Sequence, residues 1–209
     1  MIEWPNIDFE LLKRINPDTL GWIHMEDTPV NYPVVQGRGD GYYLNHNFSG
    51  EESPHGCIFA ETDGEFPGKR AILSGHNMRD GSMFVSILFY YYEEGYFEKH
   101  PLIDLKTPDA DYEIRVWGCI HFPHEYDFMC HVPKEKETFC RWKEAIRNLC
   151  PFDPGFDLNY EDPIMLLCTC RSTYPTPDGT LMVVGTVGVS HRGNQKRTGK
   201  NEGTQLRGN

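Results

Sequence analysis

No apolar run in this 209-residue chain approaches the roughly 18 residues that a membrane-spanning helix needs, so no segment of it reads as one. Residues 1–16 lack the unbroken apolar stretch of a secretory leader, because Glu3, Asp8 and Glu10 interrupt them. Two readings stay open: a cytoplasmic protein, or one whose native N-terminal anchor lies outside this chain. No linker rich in Pro, Gly or Ser divides the middle, which favours one domain over residues 1–189. Basic residues are scarce. Twenty Lys and Arg stand against 31 Asp and Glu, and the net charge of −11 argues against a nucleic-acid partner. The exception is the tail, 190–209, where Arg192, Lys196, Arg197, Lys200 and Arg207 face only Glu202. With almost no apolar residues, that tail is expected to stay disordered. Cysteine is present but odd in number, seven, and without the spacing of a small disulfide scaffold.

What is there reads as short strands with a few helices. Ile7, Leu11, Leu12 and Ile15 recur at helical spacing, with Asn6 or Asp8 as the cap. Strand-like runs follow at 21–25, 32–36, 56–60 and 70–74, separated by Gly- and Pro-containing turns. Helix returns at 83–92, then strands at 102–106 and 112–122. Lys134 to Leu149 forms the clearest later helix, with Phe139, Trp142, Ile146 and Leu149 on one face. Many short strands with few helices predict a mostly antiparallel barrel or sandwich with peripheral helices.

The chemistry concentrates at two strand ends. Ile164-Met165-Leu166-Leu167-Cys168-Thr169-Cys170 is an apolar run that stops at a thiol. Ala71-Ile72-Leu73-Ser74-Gly75-His76-Asn77 is an apolar run that stops at an imidazole. A thiolate attacks where a thiol does not, so a nucleophilic Cys170 needs such a partner. Asn77 and Asp80 follow His76 closely enough to orient its ring. Cys168, two residues back from Cys170, reads as packing. Cys119, His121, His124, Cys130 and His131 cluster in sequence, but without the paired rhythm of a structural zinc site. Neither metal nor cofactor is expected.

Several segments together resemble the class B sortases, cell-wall cysteine transpeptidases of Gram-positive bacteria. They are Ile15–Ile23, Asn31–Gly37, Tyr42–Phe48, the histidine segment Ser74–Phe84, and Leu167-Cys168-Thr169-Cys170. The resemblance covers about Ile7 to Val189. It implies an eight-stranded sortase-type β-barrel with an N-terminal helix and an extra helix between the sixth and seventh strands. It also implies that Cys170 attacks the Thr carbonyl of a sorting signal similar to Asn-Pro-x-Thr-Asn, and that His76 protonates the leaving amine. The resulting thioester would pass to an amine of a cell-wall precursor or pilin. Partners would then be sorting-signal-bearing surface proteins or pilins, at the extracytoplasmic face of the membrane. Leu44 and Asn45 fall in a segment that helps form the sorting-signal groove, and Thr169 and Ser172 flank the nucleophile.

One position departs from the family. Sortases carry an Arg at the start of the last strand, where this chain has Thr180 in Thr180-Leu181-Met182-Val183-Val184-Gly185. A hydroxyl has one donor, no charge and a shorter reach than a guanidinium. Arg171, directly after Cys170, is one substitute; another donor is a second; a weakly active or inactive homologue is the third. The rival function is therefore a sortase-like binding module. A cysteine peptidase that releases its acyl group to water is a further enzymatic alternative.

Overall fold

The computed structural model describes residues 7–39, 41–62, 65–123, 129–169 and 179–190. Eight strands close into a barrel: β1 (Thr19–His24), β2 (Asn31–Gln36), β3 (Ile58–Thr62), β4 (Arg70–Gly75), β5 (Leu102–Lys106), β6 (Asp111–Phe122), β7 (Ile164–Thr169) and β8 (Thr180–Val189). Their order around the barrel is β1-β2-β3-β4-β7-β8-β6-β5, with β5 returning to β1. Most neighbours are antiparallel, as the short-strand pattern predicts. The exceptions are β2 with β3 and β4 with β7, both parallel.

Burial explains the sequence patterns. β1 and β5 alternate buried and half-buried residues, because only their inner faces are covered. β7 is buried at every position, and β8 from Thr180 to Gly185. Their inner residues, such as Leu167 and Val183, join the barrel core, while Leu166 and Val184 pack outward with Phe139, Trp142 and Ile146 of α4 (Lys136–Leu149). Covering both faces is what produces unbroken apolar runs. Trp142 Nε1 donates to Met129 O (3.0 Å), and Lys143 and Arg147 bond Asp157 and Asp153, both at 2.8 Å, which ties α4 to the segments before and after it. Leu149, which shares the apolar face with Phe139, Trp142 and Ile146 in the sequence, is 60 % exposed at the last residue of α4.

The N-terminal helix α1 (Phe9–Ile15) starts at Asp8, whose carboxylate accepts from Leu11 N (2.9 Å). Its apolar stripe is not buried: Leu11 and Ile15 are exposed and α1 contributes no buried residue. The helix that follows the histidine segment is α2 (Val85–Tyr92), with a short α3 (Tyr96–Lys99) behind it. Ile87, Leu88 and Tyr90 of α2 enter the barrel-core cluster.

Candidate active site

The parallel pairing of β4 with β7 sets the site. Gly75 and Thr169 are register partners at the ends of those strands. The next residues in sequence are His76 and Cys170. Cys170, Arg171 and Ser172 lie outside the described residues, as do His124 and residues 191–209.

Gly75 is required by crowding. A Cβ there would stand 2.3 Å from Ile58 Cδ1 and 3.1 Å from Phe84. After it the chain folds back: the His76 carbonyl accepts from Phe84 N (2.8 Å), and Met83 N donates to the Tyr32 hydroxyl (2.9 Å). The half-buried His76 ring is held by a backbone group rather than by its neighbours in sequence. His76 Nε2 is 2.7 Å from the carbonyl oxygen of Leu44. A carbonyl only accepts, so Nε2 carries the hydrogen and Nδ1 is left to take and give a proton. Asp80 has other partners, Ser82 Oγ at 2.6 Å and His55 Nε2 at 3.1 Å. Those bonds, the ones from Ser82 first, draw its carboxyl down to about 2. Asn77 is buried, and no bond joins its side chain to the imidazole among the described contacts.

Leu44 ends a 3₁₀ turn, Tyr42–Leu44, that a polar network holds in place. The buried Tyr43 donates to Asp18 Oδ2 (2.7 Å) and accepts from Asn16 Nδ2 (3.0 Å); Arg38 Nε donates to Asp18 (2.8 Å). The Tyr43 bond foremost, with Arg38 adding, lowers the Asp18 pKa against the opposing effect of burial. Cys57 N donates to Tyr43 O (2.9 Å), and Gly56 lies beneath the turn with φ +61°. A Cβ on Gly56 would come within 2.4 Å of Tyr43 O and 2.8 Å of Leu44 O. Cys57 is no rival nucleophile, since burial pushes its thiol up to about 12.

The remaining expected site residues divide. Leu44 is half-buried and Asn45 exposed beside it. Thr169 is buried, and its hydroxyl accepts from Leu181 N at 3.2 Å, which fastens the end of β7 to β8. Thr180 opens β8 opposite Phe122 of β6 and is 6 % exposed. Cys168 is buried between the barrel and α4. Among the described residues no His, Cys, Asp and Glu group has the arrangement of a metal site. The Leu44 carbonyl was invisible to residue-type reasoning; the signal that pointed near it was the Tyr42–Phe48 segment.

A closed barrel whose histidine-bearing strand end lies beside a cysteine-bearing one has the architecture of a sortase. No protein-family model matches the chain. Sortase B of Listeria monocytogenes is 27 % identical over 176 residues, covering 83 % of this chain and 71 % of that protein. The crystal structure of Staphylococcus aureus sortase B superposes with a TM-score of 0.77 at 27 % identity, covering 87 % of each chain. The same S. aureus protein solved as a substrate complex gives 0.76 at 27 % identity, covering 87 % of this chain and 84 % of that one. In both sequence and fold the chain is similar to the class B sortases.

Proposed function

We propose that the chain cleaves a sorting signal similar to Asn-Pro-x-Thr-Asn after its Thr and transfers the acyl group, through a thioester on Cys170, to an amine of a cell-wall precursor or pilin. The observation that carries this reading is the Gly75–Thr169 register together with the fixed His76 ring. The Cys170 thiolate adds to the Thr carbonyl. The tetrahedral intermediate collapses as the C–N bond breaks, and the protonated His76 gives its Nδ1 proton to the leaving amine. The acceptor amine then attacks the thioester, loses a proton to Nδ1, and returns Cys170 as a thiolate. Two such steps replace one difficult amide exchange. The S. aureus sortase B complexed with its substrate supports a sorting-peptide ligand. Such chemistry belongs at the extracytoplasmic face of a Gram-positive membrane.

Thr180 favours a second reading, a binding module that holds sorting signals without turnover, because the family's guanidinium is replaced by a buried hydroxyl. A quenched Asn-Pro-x-Thr-Asn peptide, incubated with and without an amine acceptor, separates the readings. Transpeptidation predicts cleavage and a product that carries the acceptor. Binding without cleavage supports the module, and cleavage indifferent to the acceptor supports a peptidase.

A further inference from the structure

Two cysteines away from the site meet in one packing cluster. Cys119 lies in β6 and is fully buried. Cys150 is the residue at which α4 ends; it is half-buried and packs against the same barrel-core cluster. The Cys119 backbone N–H donates to Cys150 Sγ at 3.3 Å. The local sequence makes this approach possible. β6 shifts register between Val116 and Gly118, which re-aims the chain there. Gly118 then leaves the room: a Cβ on it would stand 3.6 Å from Cys150 Sγ and 3.3 Å from Ile146.

The surroundings make the two thiols unlike. The hydrogen bond from Cys119 lowers the Cys150 thiol most, with the Phe152 and Cys119 N–H groups and the Arg147 charge acting the same way against desolvation. Burial, and then its bond to Cys150, raises the Cys119 thiol. Cys150 is partly exposed, while Cys119 is fully buried and its backbone N–H touches the Cys150 sulfur.

We propose that Cys119 and Cys150 form a redox-active dithiol that closes into a disulfide, fastening the C-terminal end of α4 to β6. The oxidant is a disulfide of low molecular weight or on a protein. The Cys150 thiolate attacks one sulfur of that disulfide, forming a mixed disulfide and expelling one thiolate. The Cys119 thiol, giving up its proton, then attacks Cys150 Sγ and expels the second. Two protein thiols lose two electrons, one oxidant disulfide gains them, and the two thiol protons end on the two expelled thiols. Because α4 covers the outer face of β7 and β8, the bond stiffens the wall that carries the active-site strand ends.

The test uses the folded chain exposed to oxidised glutathione, then tandem mass spectrometry to locate linkages. The expected product lacks roughly 2 Da, with Cys119 joined to Cys150. Its thermal midpoint should rise on the order of 5–10 °C and fall back with dithiothreitol, and C150S should show no rise. In C119A a stable glutathione adduct should accumulate at Cys150, since no second thiol remains to displace it. Recovery of Cys150 in the wild type as a free thiol, as a lasting glutathione adduct, or linked to any cysteine other than Cys119 overturns the proposal.

Discussion

Gly75 and Thr169 are register partners across the parallel β4–β7 pair, and each is followed directly in sequence by one of the two proposed reactive residues, His76 and Cys170. Parallel pairing makes this possible, because both strands then end on the same rim of the barrel. An antiparallel neighbour would carry the thiol to the opposite rim.

The His76 ring should work through Nδ1 while Nε2 holds Leu44 O. His76→Gln can keep a donor to that carbonyl but has no titratable nitrogen. Its thermal midpoint should stay near that of the wild type, while turnover of a sorting peptide falls about 10²–10⁴-fold. Retention of full turnover would remove the imidazole from the reaction.

Gly56 should matter although it touches no substrate, because it lets the Leu44 carbonyl reach His76. Gly56→Ala places a Cβ 2.4 Å from Tyr43 O and 2.8 Å from Leu44 O, at φ +61°. We expect a stability loss on the order of 1–3 kcal/mol from the strained backbone. The His76 ring resonances should move in NMR spectra, and kcat should fall. A loss of stability with unchanged His76 ring resonances and unchanged kcat would make Gly56 purely structural.

Asp18 links acid stability to the same turn. Its folded pKa lies below its ordinary value, chiefly through Tyr43, so the folded state favours the charged form. The stabilisation is complete above the unfolded carboxyl value near ~3.9 and disappears as the pH falls through the lower folded value. Asp18→Asn should therefore melt below the wild type at neutral pH. The gap should close as melts are repeated below about pH 4. A gap that persists in acid would assign the loss to something other than the carboxylate's charge.

The proposed reaction needs an oxyanion donor, and Arg171 and Thr180 are the positions at which to test for one. If Arg171 supplies the charge, Arg171→Ala should lower turnover about 10²–10³-fold, the usual cost of one oxyanion donor. If the site simply lacks the Arg, Arg171→Ala should be silent and Thr180→Arg should raise turnover strongly. Peptide-cleavage rates of the two variants separate these outcomes.

Much of this frame was readable from residue types. The strand expected at 102–106 is β5 itself, and the 83–92 helix differs from α2 only at its start. Apolar runs that stop at a Cys and a His marked β7 and β4. What periodicity could not supply was long-range: the parallel register of β4 and β7, and the backbone carbonyl that orients His76. Neither leaves a residue-type signature. Leu149 and the α1 stripe are exposed for a related reason: helical spacing says which face is apolar but not whether anything covers it.

The most direct measurement is intact-protein mass spectrometry after mixing the chain with an Asn-Pro-x-Thr-Asn-type peptide. The account predicts an acyl adduct on Cys170 that hydroxylamine or an amine acceptor releases and that Cys170→Ala never forms. No adduct and no cleavage, with the peptide still bound, would contradict it.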